Sequence, residues 1–546
     1  MKELLLTLGH NSSAILVEDG RIVCGYENER CTGVKSDSRF PQQAIHQMME
    51  MGFLLPSMKD VGRVYATHWA PSGALRDMGV KYWHPAVFED KSIRSLGPDQ
   101  THHDCHMAAA MCYAGPLFPY GEDAYCFVVD GFGIMGEHFS IYELPNSDPS
   151  AARLIKRFRG YDTSLGLWYQ YATAFMGMRM HEDEYKLLGY EAHIDPSDAD
   201  LINVQIDHKV KLWVDSMHRL KYADHHDPVY SLDALPKTKE LIFSHLGDVC
   251  QRIGVTDATS FEGRVKLSFY VQGVLEGVVH HFLAQYTPKH VLLSGGVFQN
   301  VKLNLMVVKS TPGQVCAMPL CGDQGNALGL YFMDNPNFNF GENALLWGHR
   351  KLKDVGVVPN LHYCQSEDMV QALASDLLNQ HGFVNVVRGS MEFGPRALCN
   401  TSTLAFPSEE CVDAINYMND RNTVMPMAPV MTRDQFEVNF AYADQLWKSE
   451  EHMIVALPYR QGCEVMAPGA AHKYTWPSTS FTGRPQVVDP NDWLMNTMLN
   501  RHGMLINTSF NYHGNPICLG MEDVIENHML QYRRSPDIHT IVLCNQ

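Results

Sequence analysis

The chain has 546 residues, with 43 Lys+Arg against 61 Asp+Glu and a formal net charge of −18. Its 45% hydrophobic content, with 24 Phe, 24 Tyr and 8 Trp, excludes disorder as the main state and, at about 100–200 residues per domain, predicts two or three domains. No run approaches the ~18–20 apolar residues of a membrane span, the start MKELLLTLGHNSS is too short a run for a secretory signal, and the acidity disfavours non-specific binding to nucleic acid or anionic membrane.

In chain order, residues 4–8 and 14–17 read as strands around the polar turn Gly9-His10-Asn11-Ser12-Ser13, and 21–26 as a third strand. Residues 101–114, rich in Ala and Met, predict a helix. Residues 124–129 predict a buried strand ending in Asp130-Gly131-Phe132-Gly133. The stretch 145–260 is polar and unpatterned. A helix is expected over 265–286, then a strand at 291–293 closing on Ser294-Gly295-Gly296, with a helix starting near Phe298. Residues 315–320 lead to Gly322-Asp323-Gln324-Gly325 and a helix over 326–332. Pro and Gly mark 341–365 as a linker. Beyond it, 369–379 reads as helix, and 383–387 and 504–506 as strands.

The 14 Cys include no CxxC pair, so a structural zinc site is not expected. With no export signal, a cytoplasmic location with reduced thiols is expected. His102 and His106, spaced i, i+4 on a helix, share one face and suit one metal ion. His103 lies off that face. A polar, solvated helix face is the alternative. Asp130 and Asp323 each follow a strand beside glycines, where a side chain can enter a cleft. They could equally be turn residues. Together the four make a His₂Asp₂ set, whose mixed nitrogen and oxygen donors suit iron(II), manganese or zinc. The glycine turns offer bare amides and helix starts that attract phosphate. Three such turns after strands point to a nucleotide cleft between two sheet-based lobes. Met391-Glu392-Phe393-Gly394-Pro395-Arg396-Ala397-Leu398 and Asn507-Thr508-Ser509-Phe510-Asn511 form a further polar constellation past the linker.

In order, these motifs, with Glu184-Tyr185-Lys186 and Ser294-Gly295-Gly296-Val297-Phe298 extending to Asn300, resemble the NodU/CmcH family of O-carbamoyltransferases over nearly the whole chain. The resemblance implies an α/β protein in two parts. Residues 1–340 would be a two-lobed domain of the actin-like ATPase and sugar-kinase superfamily, akin to the transferase that makes threonylcarbamoyl-adenosine on tRNA. Residues 366–546 would be a YrdC-like α/β domain. That second domain would activate carbamoyl phosphate with ATP, giving carbamoyl-adenylate and pyrophosphate. The first would pass the carbamoyl group to an acceptor hydroxyl. In the family, iron(II) is held by two His and two Asp, which map onto His102, His106, Asp130 and Asp323; manganese, magnesium and zinc are alternatives.

His10, Asn11 and Lys186 become the catalytic candidates, with His10 polarising the carbamoyl group or taking the acceptor's proton. Ser12, Gly131, Gly133, Glu184, Gly295, Gly296 and Asn300 would line the adenylate site. Arg388, Arg396, Arg421, Asn507, Ser509 and Asn511 would line the second site. There the chain departs from the family pattern. The family has Arg where this chain has Ser390, Thr401 and Met425, Lys near Asn419, and Glu at Asn422 and Asn515. Either Arg388 and its neighbours rebuild the pocket, or donor activation is weakened. The acceptor stays open: a sugar or natural product, or a hydroxymethyl-pyrimidine in a nucleotide or DNA. A homodimer is left open. Threonylcarbamoyl transfer to tRNA and a catalytically weak nucleotide-binding regulator are the competing readings.

Overall fold

The computed structural model describes residues 1–545 except 98, 117, 119, 120, 220–231, 339 and 341–344. Two five-stranded sheets build two lobes. In the first, β1 (Lys2–Thr7), β2 (Ser13–Glu18), β3 (Arg21–Glu27), β4 (Val61–Ala66) and β5 (Ser92–Arg94) lie in the order β3-β2-β1-β4-β5. In the second, β6 (Ala124–Val129), β7 (Glu137–Leu144), β8 (Arg153–Arg159), β9 (His290–Ser294) and β10 (Val315–Ala317) lie in the order β10-β9-β6-β7-β8. Counted from its own first strand, each lobe has the same order, with an antiparallel meander on one side and parallel strands on the other. The expected two-lobed α/β architecture is therefore present. Its strands read as unbroken apolar runs because both faces are covered: Leu4, Leu5 and Leu6, like Phe127, Val128 and Val129, are fully buried.

The polar stretch 145–260 contains the helices Leu165–Phe175, Tyr185–Tyr190, Pro196–Arg219 and Leu235–Ile253. The last two bury one narrow stripe each, which polar residues dilute in the sequence. The third part is a mixed sheet. Its strands are β11 (Leu361–Cys364), β12 (Phe383–Val387), β13 (Thr401–Ala405), β14 (Ala428–Met431), β18 (Gln486–Val487), β19 (Leu505–Ser509) and β20 (Thr540–Leu543), ordered β11-β20-β12-β13-β19-β14-β18. Between β14 and β18, β15 (Leu457–Pro458), β16 (His472–Tyr474) and β17 (Ser480–Gly483) make a small separate sheet.

Of the stretch expected to be a linker, 341–344 lie outside the described residues. Residues 345–350 and Leu352 are irregular but packed, whereas 353–357 are exposed, as a linker would be. Trp347 is buried against Phe393, with ring centroids 5.1 Å apart, and its carbonyl accepts from Gly25 N at 3.1 Å. Arg30 Nη2 donates to Gly394 O at 2.7 Å. The first lobe and the third part are thus joined through both apolar and hydrogen-bonded contacts.

A second junction is a cation–π contact. Lys302 Nζ lies 2.9 Å from Glu191 Oε1 and 3.1 Å from the ring centroid of Tyr474. Burial, and then the nearby Glu191, push the Glu276 carboxyl up to about 7. A carboxyl raised on folding binds its proton more tightly in the folded chain. Stability is then lost as pH climbs from the ordinary carboxylate range, ~4.3, towards 7. Glu276→Gln is expected to stabilise the protein by roughly 1–3 kcal/mol at pH 8 and to change little at pH 4.5, read by urea denaturation at both pH values.

Candidate metal centre and anion site

The helix His102–Ala114 starts with a capping box, in which Thr101 N donates to Asp104 Oδ2 at 2.7 Å. This fixes the first turn, so His102 and His106 leave the same face. Their Nε2 atoms are 3.1 Å apart. His102 Nε2 is 3.2 Å from Asp130 Oδ2 and 3.1 Å from Asp323 Oδ1; for His106 Nε2 these distances are 3.7 and 3.6 Å. All four donor atoms lie within 4.8 Å of one another. An ion held ~2.0–2.2 Å from each donor needs neighbouring donors about 3–3.5 Å apart, so the set fits one divalent cation. His103, off this face, is buried, and its Nδ1 lies 2.8 Å from Ser140 Oγ.

Electrostatics support a cation site. Burial opposes charge on both imidazoles, but the carboxylates outweigh it and hold His102 well above, and His106 above, the ordinary histidine range. Burial also opposes ionisation of Asp130, yet hydrogen bonds from His102 and His106 hold it well below the ordinary range. The carboxylates are therefore ionised and demand positive charge between them.

The glycine turns build this centre. Gly296 N donates to Asp130 Oδ1 at 3.1 Å, leaving Oδ2 to face the histidines. Gly295 has φ +95°, and a Cβ there would lie 2.3 Å from Val129 O, so β6 and β9 can end side by side only with glycine. Gly133 N donates to Glu137 O at 2.6 Å, which closes the hairpin behind Asp130. Gly131 is packed against Gly166, where a Cβ would lie 2.6 Å from Gly131 Cα. Gly166 thus seats the helix Leu165–Phe175 on the Asp130 turn.

One turn further along that helix, about 6 Å, Gln170 Nε2 reaches His181 Nε2 at 2.5 Å. The His181 ring packs on the exposed His10 ring with centroids 5.4 Å apart. His181 is a non-glycine residue at φ +66°, the strained conformation that collects at functional sites. Sequence reasoning missed it, although it sits three residues before the Glu184 motif. Asn11, also left-handed at φ +55°, turns the chain beside His10.

The other expected residues have partners within the fold. Ser12 Oγ donates to Asp37 O at 2.9 Å. Asn300 Oδ1 caps the helix Val301–Ser310 by accepting from Leu303 N at 2.9 Å. Lys186 Nζ pairs with Asp183 Oδ1 at 2.9 Å, and Glu184 Oε1 accepts from His181 N at 2.6 Å.

Past the linker, Glu392 Oε1 accepts from Leu398 N, Asn400 N and Thr401 N at 2.7, 3.0 and 3.0 Å. The acid of that motif folds its own loop and so aims Arg396. Asn507 Nδ2 pins the same loop through Ala397 O at 2.7 Å. Arg421 Nη1 donates to Thr508 Oγ1 at 2.6 Å, and its Nη2 to Asn511 Oδ1 at 3.1 Å; Asn511 Oδ1 also takes Ser509 Oγ.

Arg388 is different: it is ion-paired with Asp492 and donates to Cys399 O at 3.1 Å. Thr401, where the family has Arg, accepts from Arg350 Nη1 at 2.9 Å. Arg350 spends its remaining donors on the carbonyls of Gly389, Cys518, Arg388 and Asn400.

Sequence reasoning also missed Arg484. It donates to Pro426 O at 2.8 Å, its buried Nε has no partner, and burial and then Arg396 push its pKa down to about 9. Burial lowers Arg396 and Arg421 as well, and Arg396 Nε is likewise unpartnered. The Tyr185 phenol acts electrostatically on all three guanidinium groups, and the Arg396 loop approaches the Asp323 turn at Gly394, where a Cβ would lie 2.6 Å from Leu320 Cδ2. Among the described residues none of the three has a carboxylate within 4.0 Å. Guanidinium groups held without an acid are the kind of donor that anions take, and of the three it is Arg396 that lies towards the Asp323 turn.

Comparison with known proteins gives the family. A carbamoyltransferase N-terminus family model matches residues 91–331, and a carbamoyltransferase C-terminus model matches 375–541. The chain is 25% identical to the nodulation protein NolNO of Sinorhizobium fredii, over 95% of this chain and 76% of that protein. It is also 25% identical to an uncharacterized protein of Methanocaldococcus jannaschii, over 95% of both. Among solved structures, HypF in its phosphate- and nucleotide-bound form aligns at 14% identity and a TM-score of 0.31, over 63% of this chain and 56% of that one. The activator of 2-hydroxyisocaproyl-CoA dehydratase from Clostridium difficile with bound ADPNP aligns at 14% identity and 0.33, over 61% and 95%. The two family models lie in order along most of the sequence, and the chain belongs to the carbamoyltransferase family.

Proposed function

We propose that the protein is an ATP-dependent O-carbamoyltransferase, taking carbamoyl phosphate through carbamoyl-adenylate to a hydroxyl acceptor. The reading is carried by one observation: the loop of Arg396, an arginine without an acid partner, abuts the turn that supplies Asp323, a Cβ on Gly394 lying 2.6 Å from Leu320 Cδ2. In the activation step water releases inorganic phosphate from carbamoyl phosphate and leaves carbamate; a carbamate oxygen then attacks the α-phosphate of ATP, the bond to the β-phosphate breaks, and pyrophosphate leaves. Arg396, Arg421 and Arg484 bind the phosphates and spread their charge. In the transfer step the acceptor oxygen attacks the carbamoyl carbon. The bond to the adenylate oxygen breaks, and AMP leaves with the electron pair. His10 takes the acceptor's proton at a ring nitrogen, with His181 packed against it.

A divalent cation held by His102, His106, Asp130 and Asp323, iron(II) first among the candidates, supplies Lewis acidity towards a phosphate or carbonyl oxygen. Residues 1–340 are read as the transfer domain and 366–546 as the activating domain. The acceptor is a small hydroxyl compound, a sugar or natural product or a hydroxymethyl-pyrimidine nucleotide. Bulk DNA fits less well, since binding it requires neutralising phosphates and the chain carries −18.

Incubation with ATP, carbamoyl phosphate and a panel of such acceptors, followed by mass spectrometry, tests the reading. The expected product is an acceptor carrying one carbamoyl group, with AMP and pyrophosphate released. Modified adenosine in tRNA instead would move the assignment to threonylcarbamoyl chemistry.

A further inference from the structure

Asn326 opens the helix Asn326–Asp334, three residues after Asp323. It is 1% exposed. Its amide nitrogen lies 3.4 Å from His102 Nε2, 3.4 Å from His106 Nε2 and 3.5 Å from Asp323 Oδ1. Three of the four donor atoms of the metal set thus face one side-chain amide. The other end of that amide, Oδ1, is buried with no hydrogen-bond partner.

This is an unfavourable way to set an amide beside a cation. The NH₂ end carries positive partial charge and has no lone pair to give, whereas the orphaned oxygen is the hard donor such ions take. The two ends of an amide are nearly the same size and exchange by a half-turn about χ2. After that turn the oxygen occupies the position now held by nitrogen, at the edge of the donor set. We propose that Asn326 Oδ1 is a fifth protein ligand of the metal centre, making it His₂Asp₂Asn. Two nitrogens and three oxygens lie outside the four-coordinate pattern of structural zinc sites and favour an ion of higher coordination, such as iron(II) or manganese(II). The proposal rests on the centre's geometry and not on the identity of the reaction.

The test uses the full-length protein stripped with chelator and titrated with cobalt(II) alone, followed by visible absorption. Wild type is expected to give the weak bands of a five- or six-coordinate ion. Asn326→Ala is expected to bind cobalt(II) at least tenfold more weakly, with bands at least twofold more intense as the ion moves towards tetrahedral. Unchanged affinity would overturn the assignment. So would weaker binding with an unchanged spectrum, which is the signature of an amide that only hydrogen-bonds the ligands. Asn326→Asp keeps the shape and guards against a folding defect in the alanine variant. It is expected to bind cobalt(II) at least tenfold more tightly than wild type, and equal or weaker binding would also sink the idea.

Discussion

His106→Ala is expected to lower carbamoyl transfer by at least a hundredfold and to leave the purified protein with little bound metal. His106 is fully buried, and its Nε2 lies within 3.1–3.7 Å of the three other donor atoms. Removing it takes away one donor and leaves a hole that no neighbouring group can fill. Loss of even an outer partner of a metal ligand commonly costs 10–100-fold in affinity or activity, and loss of a ligand costs more. Asp130 and Asp323 would then face each other with one imidazole between them, so ion binding and apo stability should both fall. Metal content by emission spectrometry and transfer by mass spectrometry read the two effects. Pyrophosphate release from ATP and carbamoyl phosphate serves as the internal control, since its arginines do not touch His106. Normal turnover in this variant would contradict the assignment of the centre to catalysis.

Arg484→Ala and Arg388→Ala are expected to part company. Arg484 has no acid partner and an unsatisfied Nε, so its guanidinium is free for a ligand. A charge-assisted hydrogen bond contributes about 1.5–3 kcal/mol, and its loss should raise the KM for carbamoyl phosphate or ATP roughly 10–100-fold with little change in fold stability. Arg388 is neutralised by Asp492. Its removal strands a partly buried carboxylate, which should cost about 2–4 kcal/mol in denaturant titrations while KM stays near wild type. Isothermal titration with carbamoyl phosphate and urea unfolding of both variants separate the cases. The reverse pattern would return Arg388 to the pocket and make Arg484 structural. No pyrophosphate from wild type would mean instead that the losses at Ser390, Thr401, Asn419 and Met425 have silenced activation.

The metal set was legible in the sequence because each member carries a local signal. HxxxH on a helix fixes two side chains on one face, and an Asp after a buried strand lands at a sheet's carboxyl edge. Strands β1, β2, β3, β6 and β9 were legible as apolar runs beside glycine turns, whereas β4, β5, β7 and β8 were not read. Arg484 was not legible. It belongs to the Gly483-Arg484-Pro485 segment between β17 and β18, and nothing local distinguishes an arginine that meets Arg396 and Tyr185 from one in solvent. The ion pair of Arg388 was not legible either, since its partner Asp492 is 104 residues away. His181 and Asn326 show the same limit. Their meaning lies in a backbone angle and in an orphaned atom, neither of which composition or spacing records. The start of the expected linker, 345–350, is packed, and this was not legible because the burial of Trp347 depends on Phe393 across the junction.

The matching strand order of the two lobes bears on how the reaction could be timed. The turn carrying His10 joins β1 to β2, and the turn carrying Asp130 joins β6 to β7. These are the same place in each copy of the repeat. An ancestral duplication would have begun with two identical turns facing one another, and here one carries His10 and the other Asp130. Their separation is then governed by the angle between the lobes. Rigid-body closure on substrate would bring proton acceptor and cation together in one movement, and opening would part them, so that an empty enzyme is spared from spending its activated donor on water.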